Sequence, residues 1–146
     1  MHITLSVIGK LKDTALKALY EEYKKRLEWK LSLYEFESQS SSLQEGALLL
    51  ASLPSSSFVI TLDERGENLS SKEFAALLMD IQLHHQGKVA LIIGGADGLS
   101  PEVKAKAQKS LSFGRMTWPH LLVRVMLMEQ LYRAQQILKG HPYHRG

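Results

Sequence analysis

The stretch VALIIGGADGLSP, residues 89 to 101, decides the class of fold. Its five consecutive apolar residues predict a strand that is covered on both faces of a sheet. The glycines that follow allow a tight turn, and Ser100 before Pro101 predicts a capped helix start. A buried strand that leads through a short turn into a helix is the repeating unit of a parallel α/β sheet.

The same alternation of strand and helix continues along the rest of the chain. We predict strands at 2–8, 31–36, 58–62 and 89–93, with a short one beginning at 111. Helices are predicted at 13–29, 43–53, from Ser70 or Ser71 to about 83, from 101 onward and at 120–139. The strand FVITL, residues 58–62, should stop at Asp63 and lead into the polar turn ERGENLSS. We therefore expect one α/β domain over residues 1–146, with a largely parallel sheet.

Composition excludes several classes of function. The chain has no cysteine, which removes thiolate catalysis and Cys-ligated metal sites. His84 and His85 are adjacent and point apart on a helix, and His141 and His144 have no third ligand nearby, so we expect no metal site. No apolar run reaches the length of a membrane span, and no secretory leader is visible, so the expected location is cytoplasmic.

Charge is distributed unevenly along the sequence. Residues 1–100 contain 10 Lys and Arg against 13 Asp and Glu, whereas residues 101–146 contain 8 against 2. This asymmetry indicates an anionic partner, such as nucleic acid, for the last third of the chain. The alternative is a solvated basic helix face formed by Lys104, Lys106 and Lys109.

Three loops follow the predicted buried strands at one edge of the sheet, where α/β proteins bind ligands: 63–68, 94–100 and 113–118. The glycine-rich GGADGLS matches neither a nucleotide-triphosphate loop nor a dinucleotide fingerprint. If a ligand binds, a nucleoside held by backbone groups fits the composition better than a triphosphate. An ordinary tight turn is the competing interpretation.

The predicted last helix is apolar around almost its whole circumference from His120 to Lys139. Such a helix is buried on all sides. One face can cover the sheet, and the opposite face needs a partner, most simply the same helix of a second subunit in a two-fold dimer. The alternative is a central helix within a monomer.

Three segments together resemble one known family. These are TLDERGENLSSKEFA, LIIGGADGLS and LSFGRMTWPHLLVRVMLMEQLYRAQQILKGHPYHRG, in that order, and the opening ITLSVIGKLKD is similar as well. The chain resembles the RlmH family, which are SPOUT-class methyltransferases. The resemblance implies a SPOUT-type parallel sheet flanked by helices, with the C-terminal part threaded into a trefoil knot, and a homodimer. Without it, the rarity of threaded chains favours an ordinary doubly wound sheet.

The resemblance also implies a reaction. RlmH proteins use S-adenosyl-L-methionine to methylate N3 of a pseudouridine in 23S rRNA of the assembled 70S ribosome. Two alternatives remain open at this stage: a non-catalytic RNA-binding or ribosome-associated factor, and a SPOUT enzyme that modifies tRNA.

Cofactor-binding positions carry over by motif. They are Leu62, Gly94, Phe113, Gly114, Arg115, Met116, Thr117 and Trp118. The family usually has Ser and Lys where Gly114 and Arg115 stand, and commonly Phe for Trp118. A loop that binds through its backbone should tolerate these departures.

Catalytic and substrate-binding roles are expected at the C-terminal end. Tyr143 and His144 are candidates for the proton acceptor or for donors to the uracil edge, and Arg124 is expected to favour the imidate anion. His141 and Arg145 are expected to bind RNA. The segment 141–146, termed the tail, is expected to reach the cofactor pocket of the partner subunit. The alternative is a frayed terminus. Asp63 and Asp97 also stand at strand ends, but turn capping would explain them equally well.

Overall fold

The computed structural model describes all residues, 1–146, and contains five strands that alternate with five helices. The elements are β1 (His2–Ile8), α1 (Thr14–Arg26), β2 (Lys30–Phe36), α2 (Ser42–Ala51), β3 (Phe58–Asn68), α3 (Ser71–His84), β4 (Lys88–Ile93), α4 (Pro101–Lys106), β5 (Lys109–Ser112) and α5 (His120–Leu138). The predicted order is confirmed. Apart from the end of β3, the predicted ends lie within three residues of those observed.

The five strands form one sheet in the order β2-β1-β4-β3-β5, and every neighbouring pair is parallel. The apolar residues of β1 and β4 are buried along nearly their whole length, as expected for inner strands covered by helices on both faces. Because all strands point the same way, their carboxyl ends share one edge of the sheet. The predicted parallel α/β class is therefore confirmed, whereas the knot stays a prediction.

Strand β3 continues past the point where we predicted its end. Leu62 pairs with Leu111 of β5, the register then shifts, and Glu67 pairs with the same residue. The intervening residues bulge out of the ladder. The chain returns to the ladder at Gly66. Only glycine fits there, because a Cβ would lie 2.6–2.8 Å from backbone atoms of Leu111. The prediction that β3 stops at Asp63 is wrong because a strand near the sheet edge can carry polar residues, which we interpreted as a turn.

The helices cover the sheet in two layers. Helix α5 packs against both α1 and α3, whereas α2 packs against α4. The larger core lies on the α5 side and includes Leu5, Leu91, Leu78, Leu127, Met128 and Leu131. The smaller core includes Ile8, Leu49, Val59, Ile92 and Val103. The layers leave the carboxyl edge of the sheet open to the connecting loops.

Helix ends follow the residue chemistry predicted for them. Ser70 and Glu73 form a reciprocal capping box at the start of α3, and Ser100 caps α4 ahead of Pro101. At the end of α5, Gly140 has a φ of 72°, and the next N–H, from His141, donates to the carbonyl of Gln136. This is a Schellman motif, which turns the chain back along the helix it has just left. No helix has the length and apolarity to cross a membrane.

Candidate active site

A cavity of about 810 Å³ opens at the carboxyl ends of β3, β4 and β5. This lies within the range of about 300–1,000 Å³ that small-molecule sites occupy. Its walls come from the bulge 62–65, the turn 93–99 and the segment 111–120 except Arg115, together with Lys104 and Val123. The cavity thus unites the three loops singled out in the sequence.

The turn after β4 owes its shape to its glycines. The N–H of Gly98 donates to the carbonyl of Gly95 at 3.1 Å, and Gly98 has a φ of 76°. A Cβ on Gly94 would lie 2.8 Å from Leu99 Cδ2 and 2.9 Å from the carbonyl oxygen of Gly98. Glycine at 94 is therefore required by the packing of the turn itself, which holds its backbone at the cavity wall.

Residues 113–119, here termed the crossing loop, connect the edge strand β5 to α5. The loop ends at His120, whose Nε2 lies 3.0 Å from the position that a Cβ on Gly9 would take at the end of β1. Because β3 and β4 lie between β5 and β1, the loop passes over the ends of both. The hydroxyl of Thr117 donates to Glu64 Oε2 at 2.8 Å and ties the loop to the bulge.

The crossing loop presents large apolar side chains to the cavity. Met116 is 78% exposed and Trp118 is 42% exposed, although both line the same cleft. Large apolar side chains that are exposed within one cleft are typical of a ligand-binding groove. Their placement beside backbone donors and acceptors fits a planar aromatic base that also forms hydrogen bonds.

The structure brings together most of the predicted cofactor residues. Seven of the eight line the cavity: Leu62, Gly94, Phe113, Gly114, Met116, Thr117 and Trp118. The eighth, Arg115, is exposed and is not among the lining residues. The binding roles of the seven lining residues remain predictions that this geometry supports, whereas the geometry does not support a role for Arg115.

Arg124 is 1% exposed and does not line the cavity. Its guanidinium donates to Glu35 on β2 and, at 2.7 Å, to the carbonyl of Gly9. Glu35 also accepts the N–H of Leu11 at 3.0 Å, so one carboxylate joins β2, the turn after β1 and the first turn of α5. Burial lowers the pKa of Arg124, and Glu35 opposes that shift. Within the protomer Arg124 therefore anchors α5, and a contact with substrate remains a prediction.

The C-terminal tail packs on its own helix α5. The hydroxyl of Tyr143 donates to Glu129, and Nδ1 of His144 lies 3.0 Å from Nη1 of Arg133. These helix residues lie 9 and 13 positions beyond His120, which corresponds to about 14–20 Å along the axis. The tail groups are thus distant from the cavity of their own protomer. His141 and Arg145 are exposed.

One side of α5 lacks a complete cover. Leu122 and Met126 are half-buried and lie one turn apart on the helix, at a distance from the core that α5 forms with the sheet. Glu129 and Arg133 continue the same side and form an ion pair at 2.6 Å. Every residue of α5 is buried or half-buried within one protomer, so the two-fold partner along this helix stays a prediction.

Two site residues were missed in the sequence. His120 lines the cavity, and Glu64 fixes the crossing loop. The only signal for His120 was its position after Pro119 at a helix start that follows a binding loop. Glu64 could not be found from sequence because its partner, Thr117, is 53 residues away.

Comparison with known proteins establishes the family. A family model described as predicted SPOUT methyltransferase matches residues 1–144. The chain belongs to the SPOUT methyltransferase family. It is 46% identical, over 100% of both chains, to the ribosomal RNA large subunit methyltransferase H of Rhodospirillum centenum. It is 43% identical to the protein of the same name from Carboxydothermus hydrogenoformans, covering 99% of this chain and 100% of the relative. The resemblance to RlmH is thereby confirmed.

Solved structures of distant relatives agree with the fold. A probable methylase family protein from Haemophilus influenzae superposes with a TM-score of 0.58 at 13% identity, covering 99% of this chain and 70% of that one. A probable methyltransferase from Bordetella pertussis gives 0.57 at 12% identity, covering 90% and 95%. At these identities the likeness concerns the fold alone.

Family membership makes S-adenosylmethionine the methyl donor. The cavity fits this group, because Trp118 and Met116 offer apolar surface for an adenine ring and the glycine turn offers backbone groups. The two basic residues on its wall, Arg65 and Lys104, stand among three carboxylates, Asp63, Glu64 and Asp97, which suits a sulfonium cation better than a triphosphate. The chain has no group of three or more His, Asp or Glu side chains placed to hold a metal ion.

Proposed function

We propose that this methyltransferase modifies N3 of a pseudouridine in 23S rRNA within the assembled 70S ribosome. The observation that carries the proposal is the full-length identity of 46% to a chain named as a large-subunit rRNA methyltransferase. The cavity and the basic last third of the chain supply a methyl-donor site and an RNA-facing charge, which agree with it. Such a substrate would place the protein in the cytoplasm with the ribosomes.

The active unit in this proposal is a homodimer joined along α5. Its support is the incompletely covered side of that helix at Leu122 and Met126, together with the distance from the tail to its own cavity. A tail that acts in catalysis must then reach the cavity of the partner subunit. Each site would combine the crossing loop of one protomer with the tail of the other.

The residues of this chain have separate tasks in the reaction. When bound, S-adenosylmethionine supplies an electrophilic methyl group. Trp118 and Met116 hold the adenine, the crossing loop and the β4 turn fix its position, and the tail holds the uracil edge and nearby phosphates. Most of the acceleration should come from holding the two reacting atoms close together and in line.

Methyl transfer to ribosomes tests the proposal. The protein is incubated with labelled S-adenosylmethionine and with unmodified 70S ribosomes, free 23S rRNA or tRNA, and the labelled nucleotide is mapped. We expect label in 70S ribosomes at N3 of one pseudouridine. Label confined to tRNA would assign a different substrate, and absence of both transfer and cofactor binding would indicate a non-catalytic RNA-binding factor.

A further inference from the structure

The proposed reaction requires a proton acceptor, because N3 of pseudouridine carries a hydrogen that must leave as the new N–C bond forms. In the structure, hydrogen bonds already occupy the two tail groups predicted for this task. Burial and the hydrogen bond to Glu129 raise the pKa of Tyr143 to about 12, so its hydroxyl keeps its proton at neutral pH. A guanidinium only donates, so Nδ1 of His144 accepts from Arg133, and a neutral His144 ring carries its hydrogen on Nε2.

Two carboxylates on the cavity wall already have partners. Asp63 lies 3.7 Å from the ammonium of Lys104 and also accepts the N–H of Arg65 at 3.1 Å. Glu64 accepts the hydroxyl hydrogen of Thr117. Asp97 is exposed in the turn after β4 and is the remaining carboxylate on this wall.

His120 differs from all of these groups. It is the first residue of α5, it lines the cavity, and its ring takes part in no hydrogen bond in the structure. The ring is held against Gly9, where any side chain would collide with Nε2. Burial lowers the pKa of His120, and the positive charge of Arg124 lowers it further. His120 is therefore neutral at pH 7, with one ring nitrogen available to accept a proton.

A buried carboxylate lies near the part of the cavity wall that His120 forms. Glu45 on α2 is 4% exposed, and its Oε2 accepts the N–H of Gln39 at 3.0 Å. Its Oε1 is buried without any partner and lies 3.5 Å from the position that a Cβ on Gly95 would take. The same position is 3.0 Å from the side chain of Ile8, next to Gly9, so Glu45 and His120 approach the end of β1 together.

The charge of Glu45 acts on His120 in the direction that catalysis needs. It raises the pKa of His120 against the effects of burial and Arg124. A carboxylate that stabilises an imidazolium is the arrangement that lets a histidine take up a proton during reaction. Oε1 of Glu45 is a buried acceptor without a hydrogen-bond donor, and such groups are rare. Stabilising an imidazolium gives this oxygen a role.

We propose that His120 accepts the proton released from N3 and that Glu45 is the positioning residue that stabilises the resulting imidazolium. This inference rests on the proposed function. In the step, the N3–H bond breaks and the proton passes to a ring nitrogen of His120. The N3 electron pair forms the bond to the methyl carbon, and the electron pair of the broken S–C bond stays on sulfur.

The first test uses NMR titration of the His120 ring in the full-length protein without substrate. The charges that act on the ring are those of Arg124 on α5 and Glu45 on α2. The other charged groups on the cavity wall are Asp63, Glu64, Arg65, Asp97 and Lys104. Glu45→Gln should move the ring titration to lower pH, because it removes the charge that opposes burial. An unchanged titration would show that the charge of Glu45 does not act on His120, and this would overturn the role proposed for Glu45.

The second test measures single-turnover methylation of 70S ribosomes against pH. In the wild type the rate should fall as the pH drops through the His120 titration, below the ordinary value of about 6.5. His120→Gln should reduce the rate by roughly 100-fold or more and remove this inflection. Glu45→Gln should shift the inflection to lower pH in step with the NMR titration, which a purely structural residue would not do.

Asp97 is the alternative proton acceptor in the same cavity, and Asp97→Asn tests it. A wild-type rate for His120→Gln with a large loss for Asp97→Asn would overturn the proposal and assign the proton to Asp97. Calorimetry with S-adenosylmethionine confirms that each variant is folded and loaded. If the wild type transfers no methyl group to ribosomes, the proposed function itself fails. If it does and His120→Gln matches it at every pH, only the role of His120 fails.

Discussion

The hydroxyl of Tyr143 lies 3.0 Å from the carboxylate of Glu129, fourteen residues earlier in the chain, and donates a hydrogen bond to it. The Tyr143 ring also packs edge-on against Tyr132 with centroids 4.8 Å apart, and the guanidinium of Arg133 lies 4.8 Å above its centre. These contacts follow from the reversal at Gly140. Tyr143 and His144 therefore pack against α5, whereas His141 and Arg145 are exposed.

The first prediction concerns the ionisation of Tyr143. Burial, followed by the bond to Glu129, raises its pKa to about 12, so the stabilisation is present below the unfolded value of about 10. It is lost as the pH rises through about 12. Burial also raises the pKa of Tyr20 to about 12, so tyrosinate absorbance should show two late-ionising phenols, of which Tyr143→Phe removes one. The exposed Tyr34→Phe is the control and should leave both late phenols intact; removal of an earlier phase by Tyr143→Phe would contradict the assignment.

The second prediction concerns the apolar wall of the cavity. Trp118→Ala should weaken S-adenosylmethionine binding by about 1–2 kcal/mol, or roughly tenfold, because it removes a stacking surface from the adenine. Stability should change little, since the ring is 42% exposed. Calorimetry measures the affinity. The control is Trp29→Phe, because Trp29 is half-buried against the core in the connection between α1 and β2 and does not line the cavity. Unchanged affinity for Trp118→Ala would remove this residue from the site.

The third prediction concerns the ion pair that anchors α5. Glu35→Gln should lower the free energy of unfolding by about 3 kcal/mol, because it leaves the buried guanidinium of Arg124 without its countercharge. Glu37→Gln is a matched control near the end of the same strand. Its exposed pair with Lys10, at 3.6 Å, should contribute at most about 1 kcal/mol. Equal effects in urea unfolding would show that Arg124 is not held by Glu35.

The fourth prediction concerns the close contact between Gly66, at the end of the β3 bulge, and Leu111 of β5. Gly66→Ala should destabilise the protein by about 1–3 kcal/mol, because its Cβ would overlap the backbone of Leu111. It should also weaken cofactor binding, since β5 leads directly into the crossing loop. Gly98→Ala meets no atom within 4 Å and adds only left-handed strain of about 1 kcal/mol. A milder effect at Gly66 than at Gly98 in the unfolding free energy would contradict the tight packing.

Much of the fold was predictable because its signals are local. The apolar runs of β3 and β4, the caps at Ser70 and Ser100 and the almost wholly apolar circumference of α5 depend on neighbouring residues. The continuation of β3 was not predictable, because polar residues there form a strand only when β5 lies beside them. Long-range pairing of this kind is absent from any short window of sequence.

The candidate site was likewise predictable where its signals are local and unpredictable where they depend on distant residues. Glycine-rich and apolar loops at strand ends pointed to the cavity, and seven of the eight predicted cofactor positions lie on its walls. Arg124 was expected at the substrate, yet its partner Glu35 lies 89 residues away and holds it in the interior. Glu45 gave no signal, because its burial is set by the packing of α2 against the β4 turn.

The most direct measurement is a complementation experiment with two defective chains. One chain ends at Gly140 and lacks the tail; the other carries Gly114→Trp, which places an indole in the open space beside the crossing loop. Each should form dimers, confirmed by their mass in solution, and each should fail to methylate 70S ribosomes alone.

Mixed subunits should recover about a quarter of wild-type activity, because about half of the dimers are mixed and each of these has one complete site. That result requires the tail of one subunit to serve the cavity of the other. Mixed dimers that form and still transfer no methyl group, or a tail-less chain that is fully active alone, would contradict the account.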